Sequence, residues 1–268
     1  WGEAIEAFKA DKLAQGISET TWTGDYWKIL KRLPSGDRPS AEALKALVVG
    51  TTPNTKTRQR ACFVAAAIAQ FLGLDYDPSR YRGRYSPRRP QPRNIPSDEV
   101  IAEYWQTLSN PGWAWVLGMM ATYGLRNHEP FHVDLEQLQT DPKAWILAGK
   151  TGARRVLPLH PEWYERFWLF DPQLPKRVNL DRPNSALGHS AISYFRDLPT
   201  PPPFGLYSLR HAYALRGIRY GLNPTAMARM MGHSRAVHEG IYQLWLDEAA
   251  IGAEYDRALA RSDRPQPP

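Results

Sequence analysis

The sequence has a single cysteine and no signal-peptide pattern, and it has no apolar run of about 18 residues or more. One thiol cannot form a disulfide within the chain, and no Cys/His cluster has the spacing of a metal site. A reducing cytoplasm is therefore the expected location, and Cys62, inside an apolar run, is expected in a core. The chain begins at Trp1 without Met, so a fragment or a trimmed chain is expected.

Hydrophobic residues make up 43% of the chain and aromatic residues 12%, which is typical of a globular protein. Lys and Arg number 34 against 27 Asp and Glu, so the formal net charge is +7. This excess favours a polyanionic partner, either nucleic acid or an acidic membrane surface. A chain of 268 residues has room for one large domain or two modest ones.

The first part of the chain, residues 1–77, shows helical periodicity throughout. Ser18 and Ser40 stand where N-caps of helices are expected. A further helix is predicted over residues 58–72, with its buried side formed by Phe63, Ala67, Ile68, Phe71 and Leu72. These short helices with basic outer positions predict a compact helical domain.

Residues 78–97 are rich in proline and arginine and have no apolar periodicity, which predicts a linker. Arginines beside tyrosines in an extended segment suit the phosphate backbone of DNA. A linker that merely keeps two domains soluble has the same composition, so both interpretations stay open. The candidate DNA-binding residues are Arg80, Arg82, Arg84, Arg88, Arg89 and Arg93.

The second part, residues 98–268, is predicted to be mainly α-helical with a small antiparallel β-sheet. Ser97 is the expected N-cap of its first helix. Strands are predicted at residues 131–138, 145–148 and 155–159. Helices are predicted at residues 98–109, 111–123, 161–168, 186–196, 208–219, 223–231, 235–243 and 247–260.

Four short segments contain residues that suit phosphate chemistry. Arg126 follows a glycine at a helix end, Lys150 lies in a tight turn, Arg210 opens a helix, and His233 precedes Tyr242 by nine residues. Taken alone, each is more often an ordinary surface or capping residue. An arginine at a helix start opposes the helix dipole, so a negative partner for Arg210 is expected.

Together these residues suit one reaction at a DNA phosphodiester. Two guanidinium groups match the two non-bridging oxygens, and a histidine hydrogen bond stabilises the charge that develops there. A lysine can protonate the departing 5′ oxygen, and a tyrosine hydroxyl can attack phosphorus. The arginine charges do the work that a metal ion would otherwise do, so neither a metal nor another cofactor is expected.

The same segments, in the same order, resemble the catalytic domain of the tyrosine recombinases, the phage integrase family. Residues 122–129 resemble its first arginine motif, 149–159 its lysine hairpin, 209–212 its second arginine motif, and 231–234 with 241–242 its last motif. The resemblance covers residues 98–260. The helical first part resembles the family's core-binding domain only in size and helical character, which implies that residues 1–77 form a DNA-binding domain.

The resemblance implies a site-specific recombinase that cleaves and rejoins double-stranded DNA through a 3′-phosphotyrosine intermediate, as a homotetramer on DNA. The implied catalytic residues are Arg126, Lys150, Tyr207, Arg210, His233 and Tyr242. The segment 247–260 is the candidate to dock on a neighbouring protomer. No membrane partner is implied.

Tyr207 departs from the family, which usually has a histidine three residues before the second arginine. A phenol still donates a hydrogen bond to phosphate, but it is a poor base near neutral pH. The proton acceptor for Tyr242 therefore stays open. His211, next to Arg210, is interpreted as structural. Alternatives are a catalytically weak or inactive DNA-binding relative, a relaxing enzyme similar to type IB topoisomerases, and a basic helical protein without a role on DNA.

Overall fold

The computed structural model describes residues 1–85, 95–148 and 152–242, the backbone only for 240–242, and residues 251, 252, 255, 256, 259, 260 and 262. The chain divides into two compact units, Trp1–Arg89 and Pro90–Pro268. Thirteen α-helices and one two-stranded antiparallel sheet lie within the described residues, so the predicted fold class is confirmed. No helix in this part of the chain is both long and apolar enough to cross a membrane.

The first unit is helical, and its helices begin where local capping predicts. The Ser18 and Ser40 side chains accept hydrogen bonds from the backbone N–H groups of Thr21 and Ala43, which confirms both N-caps. A π-helical turn, Trp22–Trp27, joins the second helix to the third. The helices are α1 (Gly2–Ala14), α2 (Glu19–Thr21), α3 (Lys28–Leu30), α4 (Ala41–Val49) and α5 (Lys56–Leu72).

The prediction for the buried side of α5 was right for Ile68 and wrong for Phe63 and Phe71. Phe63 and Phe71 are 62% and 40% exposed, whereas the buried side is formed by Ala61, Cys62, Val64, Ala65, Ile68 and Ala69. Three of these are alanines at four-residue spacing, and small side chains along one ridge let a neighbouring helix approach closely. Helix α4 packs on α5, and the Phe71 and Phe63 rings lie 5.3 Å and 6.1 Å from those of Phe8 and Tyr26. Cys62 is buried in the core, as predicted.

Residues 79–85 belong to the predicted linker, and in the structure they are part of the first unit. A 3₁₀ turn, Ser79–Tyr81, places the Tyr81 ring against the core of this unit. The backbone N–H of Arg84 donates to Asn54 Oδ1 at 2.9 Å. The arginine-rich stretch therefore starts on the surface of the first unit.

The second unit forms around α7, which is apolar on all sides and buried from Gly112 to Tyr123. Helix α11 packs on α7, and Ser97 caps α6 as predicted. The helices are α6 (Asp98–Gln106), α7 (Pro111–Tyr123), α8 (Leu135–Thr140), α9 (Glu162–Arg166), α10 (Asn184–Arg196), α11 (Ser208–Arg219), α12 (Pro224–Met231) and α13 (Arg235–Tyr242). The predicted helices that these match are confirmed to within a few residues. The predicted helix over 247–260 lies largely outside the described residues.

Two of the three predicted strands are confirmed, as β1 (Ala144–Ile146) and β2 (Arg154–Val156). The strand predicted at 131–138 was wrong: a 3₁₀ turn, Glu129–His132, precedes α8, and a single bridge at Val133 is the only extended pairing described there. The reason is local, because Asp134 accepts a hydrogen bond from the Gln137 N–H at 3.0 Å and so caps a helix.

Candidate functional site

Arg126 lies in the turn that follows α7, and this turn is closed by hydrogen bonds between Arg126 and Glu129. Gly124 ends α7 with φ of 61°, and a Cβ there would lie 2.6 Å from the Tyr213 ring, so only glycine fits. The Arg126 backbone N–H donates to Glu129 Oε2 and its Nη1 to Glu129 Oε1, both at 2.7 Å. The Glu129 carboxylate therefore holds both the backbone and the guanidinium group of Arg126.

Arg210, in the first turn of α11, is only 1% exposed. Its Nη1 donates to the carbonyl oxygen of Gly124 at 2.8 Å, and its Nη2 donates to that of Met231. These carbonyls lie at the C-terminal ends of α7 and α12, which carry partial negative charge. The negative partner expected for Arg210 is thus supplied by two other helix ends.

Three arginines cap three successive carbonyls at the end of α12. Arg154 Nε donates to Met230 O at 2.8 Å, Arg210 Nη2 to Met231 O, and Arg126 Nη2 to Gly232 O at 2.7 Å. Gly232 ends this helix with φ of 63°. The last carbonyls of a helix lack partners within the helix, so these guanidinium groups satisfy them. We call Arg126, Arg154, Arg210 and Glu129 the arginine cluster.

Glu129 is the buried carboxylate of this cluster. Oε1 accepts from Arg126 and Arg154, and Oε2 accepts from the Arg126 backbone and Arg154. Burial alone would raise the pKa of this carboxyl, but hydrogen bonds and charge from Arg154, with those from Arg126, lower it to about 2. Three guanidinium charges and one carboxylate leave two excess positive charges, which suits an anionic ligand.

The His233 side chain directly follows the capped end of α12. Burial, followed by the charge of Arg210, lowers the pKa of its imidazole to about 4, so the ring is neutral near pH 7. Its Nδ1 lies 3.3 Å from the carbonyl oxygen of Ser234, and its ring stacks on His238 at a centroid distance of 5.3 Å. A neutral histidine beside excess positive charge can hydrogen-bond an anion without adding a third charge.

Among the remaining predicted catalytic residues, the side chain that the structure describes is that of Tyr207. Tyr207 is the N-cap of α11 and is 49% exposed, with its ring 5.2 Å from that of His211. Tyr242 is the last residue of α13, and its side chain lies outside the described residues. Lys150 also lies outside them, between β1 and β2 in sequence.

The predicted DNA-binding arginines are described only in part. Arg80, Arg82 and Arg84 are exposed on the first unit. The Arg80 guanidinium lies over the Tyr81 ring, 4.7 Å from its centroid, and its Nη2 donates to the Tyr81 hydroxyl at 2.6 Å. Arg88, Arg89 and Arg93 lie outside the described residues.

Sequence reasoning missed Glu129 and Arg154. A signal for Glu129 was its position three residues after Arg126, the spacing at which a turn or helix brings side chains together. A signal for Arg154 was strand alternation, because it lies on the same buried face of β2 as Val156. Neither signal indicates that Arg154 and Glu129 contact each other, because 25 positions separate them in the sequence.

Four residues outside the arginine cluster are also linked by hydrogen bonds. His160 Nδ1 lies 2.9 Å from the Tyr220 hydroxyl, and His160 Nε2 lies 2.8 Å from Asp98 Oδ2. Asp98 Oδ1 also accepts from Arg216 Nε at 2.7 Å. This network joins the start of α6 to the end of α11, so its contribution is to the packing of the second unit.

The Glu129 carboxylate makes stability depend on pH. Its folded-state pKa is about 2 against an ordinary value of 4.5, so its contribution is complete above pH 4.5 and is lost as the pH falls from there towards 2. This shift corresponds to about 3 kcal/mol. We expect urea unfolding to show a Glu129→Gln variant less stable than the unchanged chain at neutral pH, with the difference shrinking towards pH 3.

Glu136→Gln is the matched control for this measurement, because Glu136 is exposed on α8. Its effect should be small at every pH, since exposed carboxylates contribute little to stability. A Glu129→Gln effect that stays constant between neutral pH and pH 3 would contradict the assignment of a depressed pKa.

One family model and two relatives match parts of this chain. The family model described as XisA/XisC excisase second domain matches residues 2–82, which lie in the first unit. Over 164 residues, 55% of this chain, the sequence is 34% identical to Excisase A of Nostoc sp.; over 167 residues it is 32% identical to Excisase C of the same organism. The chain covers 33% and 31% of these relatives, so it spans about a third of their length.

Solved structures share the fold of the chain. The Tn1549 transposon integrase in complex with circular intermediate DNA superposes with a TM-score of 0.60 at 16% identity, over 95% of this chain and 99% of that one. A variant of the same integrase in complex with transposon right end DNA gives a TM-score of 0.59 at 16% identity, over 96% and 99%. The chain thus has the tyrosine recombinase fold, and its resemblance to the tyrosine recombinase family is confirmed.

Proposed function

We propose that this chain is the DNA-cleaving part of a site-specific recombinase that acts in DNA excision or integration. One observation carries the proposal: residues from three separate motifs meet at the end of α12, where Arg126 and Arg210 cap the two carbonyls that precede His233. The cluster carries excess positive charge around a single buried carboxylate. The excisase relatives and the integrase fold support a role on DNA.

In the proposed reaction, the two non-bridging oxygens of one phosphodiester lie against Arg126 and Arg210, and His233 donates a hydrogen bond to the same group. Guanidinium groups keep their charge at every working pH, so the phosphate is neutralised throughout the reaction. As the pentavalent state forms, negative charge builds on these oxygens, and donors already held in place stabilise it without reorganisation. The Glu129 bonds keep Arg126 in place for this purpose.

Covalent chemistry in this proposal belongs to Tyr242 and Lys150. The Tyr242 oxygen attacks phosphorus and loses its proton, the bond from phosphorus to the 5′ oxygen breaks, and Lys150 gives that oxygen a proton. The product is a 3′-phosphotyrosine and a free 5′ hydroxyl. Attack by the 5′ hydroxyl of another strand reverses the step and rejoins the DNA. Exchange of strands needs two DNA sites, for which we propose a homotetramer.

A second candidate function is DNA binding without efficient cleavage. It is favoured by Tyr207, which stands where the family usually has a histidine and is half exposed at the start of α11. A phenol can donate to phosphate but is a poor proton acceptor near neutral pH. Trapping of a covalent adduct on DNA separates the two candidates, because only the recombinase forms one.

We expect DNA binding to weaken steeply with salt, because the chain carries a formal charge of +7 and exposed arginines on the first unit. Each phosphate contact releases counterions, so log affinity should fall linearly with log salt concentration by several units of slope. Replacing Arg80, Arg82 and Arg84 by alanine should lower that slope by about 3 and weaken all sequences alike.

The control for this measurement removes the same charge from the second unit. Arg177, Arg182 and Arg196 are exposed arginines there, and their triple alanine variant should change the slope much less. Titration of labelled duplexes over a range of salt concentrations provides the comparison. Equal slopes for the two triple variants, or a loss confined to one DNA sequence, would contradict backbone binding by the first unit.

A further inference from the structure

Arg154 connects three parts of the site that are distant in sequence. It is the first residue of β2, the strand that follows the segment containing Lys150. Its Nη1 and Nη2 donate to the two oxygens of Glu129 at 2.9 and 2.7 Å, and its Nε donates to Met230 O at 2.8 Å. One planar group thus joins the hairpin, the turn that holds Arg126, and the helix end before His233.

We propose that Arg154 is a positioning residue, which holds Arg126 and the end of α12 in the geometry that phosphate cleavage requires. This inference rests on the proposed function. All three side-chain nitrogens of Arg154 donate to protein oxygens, so it acts through these partners and not on DNA directly. Its fork matches a carboxylate bidentately, a geometry that lysine cannot reproduce.

The effect reaches Arg126 through the carboxylate that both arginines share. Glu129 Oε1 accepts from Arg126 Nη1 and Arg154 Nη1, so its charge is divided between two guanidinium groups. Without Arg154, Arg126 would be the remaining guanidinium partner of a buried carboxylate. The carboxylate would then lose both bonds to β2, and Arg126 would be held only by a turn that is no longer anchored to that strand.

Arg154 also restrains the segment that carries His233. Its bond to Met230 O is the first of the three that cap the end of α12, and His233 lies three residues later. Loss of this bond would leave a helix-end carbonyl without that donor and loosen the strand from the helix. Small displacements of groups that stabilise a transition state cost about 10²-fold in rate.

The test compares single-turnover cleavage of a suicide substrate by the unchanged chain and by Arg154→Gln. We expect the variant to cleave about 10²-fold more slowly while its affinity for uncleaved duplex changes less than about threefold. Arg155→Gln is the matched control. Arg155 is the next residue, half exposed and bonded to Asp141, and its loss removes the same charge without touching Glu129. It should cleave at the unchanged rate.

The pH profile separates positioning from a general loss of structure. Hydrogen bonds and charge from Arg154 are the main influences that lower the Glu129 pKa, so Arg154→Gln should raise it. On acidification, the variant should therefore begin to lose activity at a higher pH than the unchanged chain does, because protonated Glu129 no longer holds Arg126. The double variant Arg154→Gln/Glu129→Gln should stay slow but lose this pH dependence.

Three results would overturn the inference. They are cleavage by Arg154→Gln at the unchanged rate, a decrease by the same factor at every pH, and failure of both the single and the double variant to fold. If the unchanged chain forms no adduct on any cognate site, the proposed function fails and this inference fails with it. If the unchanged chain and the Arg154→Gln variant cleave at the same rate, the inference fails and the proposed function stands.

Discussion

A Tyr242→Phe variant is expected to bind duplex DNA like the unchanged chain and to form no covalent adduct with it. The substitution removes one hydroxyl and leaves the ring, so contacts with the DNA backbone should persist. The nucleophile itself is lost, so the step that joins protein to phosphate cannot occur. Tyr242 ends α13, ten residues after Gly232, the last of the three residues whose carbonyls the arginines cap.

The measurement uses a nicked suicide substrate, from which the cleaved strand diffuses away and leaves protein joined to a 3′ phosphate. Peptide mapping should place the adduct of the unchanged chain on Tyr242. Tyr255→Phe is the matched control, because Tyr255 is an exposed tyrosine thirteen residues further along the chain. Its adduct should form at the unchanged rate.

The other outcomes are also informative. A slow adduct on Tyr242 would keep the mechanism and indicate that Tyr207 supplies a weaker proton acceptor than the usual histidine. An adduct on Tyr213 would refute the assignment, although burial raises the pKa of that hydroxyl and disfavours it as a nucleophile. An adduct on Tyr220 or Tyr255 would refute it equally. No adduct on a cognate site would favour the DNA-binding candidate.

Arg126→Ala and Arg210→Ala are each expected to slow cleavage by about 10²- to 10³-fold, with affinity for uncleaved duplex within a few-fold. The guanidinium charge matters most where negative charge builds on the phosphate, which happens in the transition state and not in the bound duplex. Measured rates of adduct formation at saturating protein, beside equilibrium binding, separate the two effects.

The two variants should differ in stability, because the two arginines are buried to different degrees. Arg210 is 1% exposed and donates to Gly124 O and Met231 O, so its loss leaves two helix-end carbonyls without that donor. An unsatisfied buried polar group costs about 1–3 kcal/mol. The Arg126 side chain is 15% exposed, so Arg126→Ala should lower the melting temperature less.

Arg229→Ala is the control for both, since Arg229 is an exposed arginine on α12 itself. It removes one positive charge close to the same helix end and should cleave at the unchanged rate. Normal cleavage by Arg126→Ala or Arg210→Ala would make that arginine structural and the motif assignment wrong. If affinity for DNA falls by the same factor as the cleavage rate, the arginine contributes to DNA binding and not to the cleavage step.

Local sequence signals determined the helices of this protein. Ser18, Ser40 and Ser97 each accept the backbone hydrogen bond expected of an N-cap, and such bonds span only three residues. Glycines at 124 and 232 end α7 and α12 for an equally local reason, a positive φ that other residues adopt reluctantly. The order of Arg126, Arg210 and His233 along the chain was enough to predict a shared phosphate site.

Local sequence signals predicted the structure less well where two signals disagree or where packing partners decide. The strand predicted over 131–138 became a 3₁₀ turn and α8, because the Asp134 cap outweighs the apolar residues around it. The buried side of α5 depends on its neighbours in the fold: the alanines at 61, 65 and 69 are buried, whereas Phe63 and Phe71 are exposed. Hydrophobicity alone ranks the aromatic residues first and so predicts the wrong face.

The sequence by itself determined which residues are available for phosphate chemistry, and the tertiary structure decided how they are held. Arg210 meets Gly124 across 86 positions, Arg126 meets Gly232 across 106, and Arg154 meets Met230 across 76. Periodicity and spacing describe neighbours within a few turns of a helix or strand, so contacts at such separations are not visible to them. Folding alone brings Glu129, its two arginines and one helix end together, because a buried carboxylate and exposed helix carbonyls each require charged donors.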